Sequence, residues 1–332
     1  MFLPHKYFAI DLGTNNTLVY ESKHGIIFDE PTSISFDKKR SSYFDFGLSS
    51  KNMYGKNPKH IEVLQPLSKG AIANITVAKA YIKNLIGSIT RHSLLKPDIV
   101  VSVPSDLNAM ERHAVIEAGK EGGARNVVLL KDPYAAAIGS LKDISYSKGI
   151  MVLDMGAGVS EITLLSCNGI VMSKSLRIAG NDLDEAIVEY FKATKRIQIG
   201  LLDAEILKKE LAYLGESDEK TMRISVKNLM TRMPEYSTIS SRDITKAIHP
   251  LIDRIVELVY TLLSQLPATF ANDIYDNGIL LTGGSSLLKG FDTYLSQKLD
   301  IVTHVVEAPL QNIILGTGRV MEDKQYSSLL SK

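Results

Sequence analysis

Two aspartates at the ends of apolar runs are the residues best suited to chemistry. In YFAIDLGTNNTLVY (7–20) and IMVLDMGAGVSEITLL (150–165), a β-rich run closes on Asp11 or Asp154 and passes directly into a glycine turn. The turns are Gly13-Thr14-Asn15-Asn16 and Gly156-Ala157-Gly158. A third, Gly283-Gly284-Ser285-Ser286, follows the apolar run GILL at 278–281. Glycine lets backbone N–H groups approach a phosphate closely, and hydroxyl and amide side chains add donors. Two carboxylates beside bound phosphates would repel them unless a divalent cation intervened. Magnesium suits that place, because it takes one or two carboxylates together with phosphate oxygens and waters. Each turn alone also reads as a plain strand connection with an aspartate capping it. Three together, two of them opened by Asp, point to a phosphate site.

The elements that must position these turns form a near-repeat. Each copy is an apolar strand, an Asp, an x-Gly turn and a second β-rich run that ends in a small turn, His24-Gly25 or Asn168-Gly169. A unit repeated at this distance suggests two domains of one plan. Between the copies, Ala78, Tyr81, Ile82, Leu85, Ile86 and Ile89 share a face of a helix over 76–91. A strand follows at 99–103. A helix over 108–121 is opened by Asn108 and Glu111 at capping-box spacing and stopped by Gly122-Gly123. Then come a strand at 127–130 and a short helix at 133–141. Beyond the second copy, Asn181 and Asp184 open a helix over 182–192. Residues 193–244 are polar and mixed and show no clear strand pattern, and a long amphipathic helix covers 250–266, its apolar stripe read as core or interface packing. Strands alternating with helices argue for α/β, with parallel or mixed sheets.

The chain has 332 residues, enough for about two domains. Lys plus Arg (38) nearly balances Asp plus Glu (37), which argues against a broad nucleic-acid-binding surface. Cys167 is the one cysteine, which excludes internal disulfides and a Cys-based zinc cluster and fits a reducing compartment. No apolar run approaches the roughly 18 residues that cross a bilayer, and residues 1–8 do not read as a signal peptide. The expected location is the cytoplasm.

The strings IDLGTNNTLVY, VPSDLNAMERHAVIEAGKEGGARNVVLLKDPYAAAIG, VLDMGAGVSEITLLSCNGIV, RIAGNDLDEAIVEYF and GILLTGGSSLLKGFDTYL resemble the bacterial actin family MreB. The likeness runs from about Tyr7 to Asp323. It implies an α/β, actin-like two-domain fold: two related halves with mixed sheets flanked by helices around a nucleotide cleft. It also implies ATP and Mg²⁺ as ligands, with Thr14, Asn15, Asn16, Gly156, Ala157 and Gly158 clasping the phosphates and Asp11 and Asp154 holding Mg²⁺ through water. Gly283, Gly284, Ser285 and Ser286 would pass under the nucleotide. Glu205 and Lys208 would lie on its ribose and adenine side, although by themselves they read as an ordinary surface pair on a helix.

By the same resemblance, residues 1–32, 67–143 and 309–332 form domain IA, 33–66 domain IB, 144–180 and 245–308 domain IIA, and 181–244 domain IIB. Two positions depart from the family pattern. Lys131-Asp132 stands where two acidic residues are usual, and Gly158-Val159-Ser160-Glu161 replaces Gly-Thr-Thr-Glu. The expected water-orienting pair is therefore Asp132 and Ser160, and a weak ATPase follows. Residues 225–238 match the family poorly, which puts the subunit contacts of that insert in doubt.

Further implied are homopolymer filaments, a role in cell shape, paralogous actin-like subunits as partners, and attachment to the inner membrane surface. Leu94 and Leu95, between Arg91 and Lys96, are the membrane residues, with Met1-Phe2-Leu3 as a weaker second foot. The competing readings are a small-molecule kinase or non-polymerising ATPase of the same fold, with Asp132 as base, and an Hsp70-like chaperone. The first lacks a sugar-binding constellation, and the second would need a substrate module where the sequence ends.

Overall fold

The computed structural model describes residues 6–90, 95–215 and 219–331. The chain divides into two compact units, Met1–Ile150 with Leu165–Val171 and Leu310–Lys332, and Met151–Leu164 with Met172–Pro309.

The first unit is built on a five-stranded mixed sheet in the order Asn126–Lys131, Asp98–Val103, Tyr7–Leu12, Asn16–Glu21, Gly25–Pro31. Tyr7–Leu12 runs antiparallel to Asn16–Glu21 and parallel to Asp98–Val103, with Asp11 opposite Ser102. Strands covered by helices on both faces are near-continuous apolar runs, and Ile99, Val100, Val101 and Val103 are all buried. On one face, Tyr81, Ile82, Leu85 and Ile86 of helix Ile75–Ile89 join Phe8, Ile10 and Ile99 in one core. Helix Ala109–Gly122 opens as its capping box requires: Asn108 accepts from the Glu111 N–H and Glu111 from the Asn108 N–H, both at 2.9 Å. Toward the other face, Ile314 of helix Asn312–Glu322 packs on Ala9 and Leu18. That helix lies so close to Asp132–Gly139 that a Cβ at Gly139 or Gly316 would strike the backbone of Asn312 or Ala135. This close approach explains the small residues Ala135 and Gly139.

The second unit repeats the plan. Its sheet runs Gly169–Leu176, Ser160–Ser166, Ile150–Met155, Ile279–Thr282, Thr303–Val305. The strand carrying the aspartate again lies third, and Asp154 faces Thr282 on a parallel neighbour as Asp11 faces Ser102. Each unit carries a small insert sheet, Ser42–Phe46, Ile34–Asp37, Ile61–Leu64 in the first and Ile197–Gln198, Thr221–Asn228, Pro234–Ser240 in the second. The fold is actin-like, with mixed sheets flanked by helices.

Three local expectations are corrected. The helix expected at 182–192 spans Gly180–Lys195, and the Ala179 N–H donates to Asp182 Oδ2 at 2.9 Å, so Asn181 and Asp184 do not open it. The turn expected at Asn168-Gly169 centres one residue earlier: Cys167 and Asn168 carry the positive φ values, 50° and 57°. The helix expected at 250–266 is Ser241–Leu263, because the Ser240 hydroxyl caps it by accepting from the Asp243 N–H at 3.2 Å. Pro250 therefore sits inside that helix. Its apolar stripe is core: Ile244, Ile248, Ile252, Ile255, Val259 and Leu262 are buried.

Candidate functional site

The first glycine turn belongs to the first unit. Asp11 ends its strand half-buried, and burial pushes its carboxyl up to about 7, with Ser102 donating to it from 3.4 Å and Asp29 adding like charge. A carboxyl so placed gains from a cation, which would favour its charged form. A Cβ at Gly13 would meet the Asn16 carbonyl oxygen at 2.6 Å, so the tightness of the turn calls for glycine. Thr14 is buried, and its hydroxyl accepts from the Gly70 N–H at 3.2 Å. Asn16 Nδ2 donates to Asp29 at 3.2 Å. Behind the turn lies Thr32, which sequence reasoning missed. Its N–H donates to the Asn15 carbonyl at 2.9 Å and its hydroxyl to the Gly13 carbonyl at 2.7 Å.

The second turn belongs to the second unit. The Gly156 N–H donates to the Val159 carbonyl at 3.0 Å and closes it. The Gly156 carbonyl accepts from the Ser285 hydroxyl at 2.8 Å and the Gly180 N–H at 3.2 Å, and the Ala157 carbonyl from the Asn181 N–H at 2.9 Å. Gly158 is buried within the same turn. Gly283 has φ +80°, and a Cβ there would meet Asp154 Oδ1 at 2.5 Å. The glycine thus leaves room for the carboxylate. Gly284 is exposed, while the Ser286 hydroxyl donates to the Gly283 carbonyl at 2.7 Å. Ser285 and Ser286 hold the turns together with their side chains. RIAG at 177–180 supplies Gly180, whose Cβ would meet Ser285 Oγ at 2.9 Å.

Glu205 and Lys208 do not pair with each other. Glu205 accepts from Lys209 one turn along the helix at 2.6 Å. Lys208 is buried, with its Nζ 2.8 Å from Asp184 and 2.7 Å from the Gly180 carbonyl. Burial pushes Asp184 up to about 6, against the pull of Lys208. The reading of both residues as an ordinary surface pair is thereby overturned for Lys208, which is an internal strut.

Asp132 begins helix Asp132–Gly139 and is half-buried. Ser160 is fully buried and its hydroxyl donates to the Ile178 carbonyl at 2.8 Å. To donate to a water it would have to give up that acceptor. Leu95 is half-buried, and Leu94 lies outside the described residues. Among the described residues, no three or more His, Cys, Asp or Glu cluster to hold a metal ion, and no helix is long and apolar enough to cross a membrane.

The family model for MreB/Mbl protein matches residues 5–328. The cell shape-determining protein MreB of Haemophilus influenzae is 36% identical over 323 residues, covering 95% of this chain and 92% of the relative. The crystal structure of MreB5 of Spiroplasma citri bound to ADP superposes with a TM-score of 0.91 at 29% identity, over 96% of each chain. The same protein bound to AMPPNP matches with a TM-score of 0.91 at 28% identity, over 98% of each.

Proposed function

This chain belongs to the MreB/Mbl protein family, and on that premise we propose that it is an ATP-binding, filament-forming cytoskeletal protein that acts in cell shape. The carrying observation is the duplicated turn. In each unit an aspartate ends the same strand of the same sheet order, beside a glycine turn whose carbonyls are tied back into the unit. Phosphate binding by backbone amides fits that construction. The nucleotides named in the MreB5 structures, ADP and AMPPNP, support ATP as the ligand.

Asp11 and Asp154 are the proposed Mg²⁺ carboxylates, and the donor set suits a cation completed by water and phosphate oxygens. When bound, the ion would neutralise phosphate charge. Thr14, Asn15, Asn16, Gly156, Ala157 and Gly158 would border the phosphates, Gly283 and Gly284 the nucleotide, and Glu205 its ribose side. Lys208, Ser285 and Ser286 act from within, through the backbone they hold. Asp132 is the proposed water-orienting carboxylate of a slow ATPase. The partition into domains IA, IB, IIA and IIB is carried over as proposed. Attachment at the inner membrane surface through Leu94 and Leu95, and association with paralogous subunits, belong to the same reading.

The test is sedimentation and electron microscopy with and without Mg-ATP, together with Asp154→Ala. Filaments should form in Mg-ATP, and the variant should bind nucleotide much more weakly in Mg²⁺ but little differently in EDTA. Equal loss in both would make Asp154 a turn cap only. Tight ATP binding with no filaments under any condition would favour a non-polymerising ATPase or kinase.

A further inference from the structure

Thr32 has no place among the phosphate-turn residues, yet it makes more bonds to the first turn than any of them makes to the rest of the unit through its side chain. It is 1% exposed and follows strand Gly25–Pro31. Its hydroxyl has one proton, which goes to the Gly13 carbonyl at 2.7 Å. The 2.8 Å contact with Thr17 must then have Thr17 as donor. Thr17 is fully buried too, so a chain of hydrogen bonds runs from Thr17 through Thr32 to Gly13, out of water. The Thr32 N–H adds a second hold on the Asn15 carbonyl at 2.9 Å.

A trans peptide points its C=O and the following N–H in opposite directions. With the Gly13 and Asn15 carbonyls turned toward Thr32, the N–H groups of Thr14 and Asn16 are aimed away from it. The second unit does the same by different residues. There the Gly156 carbonyl accepts from Ser285 and the Ala157 carbonyl from Asn181, which aims the N–H groups of Ala157 and Gly158 outward. In both units a hydroxyl from a distant segment holds the carbonyl of the first glycine of the turn.

We infer that Thr32 is a positioning residue for the first phosphate turn, its buried hydroxyl holding the Gly13 carbonyl so that the Thr14 and Asn16 amides stay aimed at the phosphates of ATP. This rests on the ATP-binding reading above. A valine of nearly the same shape removes the donor, leaves the Gly13 carbonyl unsatisfied and frees the turn to rotate.

The test compares Thr32→Val, Thr32→Ser and Thr17→Val for Mg-ATP affinity by calorimetry and for melting without nucleotide. Thr17→Val removes a buried hydroxyl from the same chain but keeps the bond from Thr32 to Gly13. Thr32→Val should weaken ATP binding roughly 10–100-fold, as loss of an outer support typically does. Thr32→Ser should restore binding to within about threefold of the wild-type value, and Thr17→Val should lower the melting temperature while keeping affinity within the same limit. Should Thr32→Val not fold, Thr32→Cys, a weaker donor of similar size, takes its place with the same expected order. Equal losses of affinity in Thr17→Val and Thr32→Val, or unchanged affinity in Thr32→Val while the wild type binds ATP, would overturn the inference alone. No ATP binding by the wild type would overturn the nucleotide reading and this inference with it.

Discussion

Lys208→Met separates a strut from a nucleotide ligand. In the structure the Lys208 ammonium is enclosed, 2.8 Å from Asp184 and 2.7 Å from the Gly180 carbonyl, and both side chains of the pair are about nine-tenths buried (10% and 8% exposed). Methionine keeps the volume and removes the charge, leaving Asp184 without its cation. Removing one partner of a buried pair costs about 3–5 kcal/mol. For a unit of this size each kcal/mol lowers the melting temperature by roughly 2–4 °C, so the expected drop is about 6–20 °C. The loss depends on pH. The Asp184 carboxyl is about 6 in the folded wild type, above the ordinary 3.8. Between those values the folded state holds a proton that the unfolded state has released, so stability falls as pH rises. Without Lys208 the folded value rises further, and the window extends upward through neutrality. The deficit of Lys208→Met should therefore be large at pH 8 and small at pH 5. Asp184→Asn added to Lys208→Met should recover most of it. Urea unfolding of the nucleotide-free chain at both pH values is the assay. Unfolding like the wild type at both, with ATP affinity lost, would make Lys208 a ligand and refute the reasoning.

Two further outcomes follow from pairs of residues. Asp132→Glu, which extends the carboxylate by one methylene, should raise ATP-dependent phosphate release roughly tenfold, since misplacing reacting groups by about 1 Å can cost up to 10²-fold; Ser160→Thr should add little, because the hydroxyl at 160 is held by Ile178. Stopped-flow phosphate release on the single and double variants decides, and no gain in Asp132→Glu removes the shortened carboxylate as the limit. Leu94→Ser with Leu95→Ser should abolish co-sedimentation of filaments with anionic liposomes, since two leucines supply only about 3–5 kcal/mol and act through many subunits; undiminished binding would take the two leucines out of membrane attachment.

What was legible in the amino acids is what depends on near neighbours. The duplicated strand, aspartate and glycine turn could be read because an apolar run ending in Asp-x-Gly is local. The Asn108–Glu111 capping box was found for the same reason. The insert strands Thr221–Asn228 and Pro234–Ser240 were not found, because few of their residues are buried; Val226 and Ile239 are the buried ones. Thr32 could not be recognised at all, and Asn181 was read only as the opener of a helix. Their bonds to the turns join distant segments, which no local pattern announces.

The structure also changes what the recognised side chains do. Ser160, Ser285, Ser286 and Lys208 were read as groups that meet a ligand, yet each gives its polar hydrogen to a main-chain carbonyl of its own unit. Three of those carbonyls, at Gly156, Gly180 and Gly283, belong to glycines beside the aspartate-bearing strand. Their work is to fix the direction of peptide planes. On the proposed reading, contact with phosphate then falls to main-chain N–H groups, which every residue except proline supplies, while the two carboxylates would meet it only through Mg²⁺. A site made this way is sensitive to the residues that orient the chain and tolerant of those that border it. On this argument the losses from Thr32→Val and Lys208→Met should exceed those from Asn15→Ala or Asn16→Ala, although only the asparagines could be picked out by residue type and position in the turn.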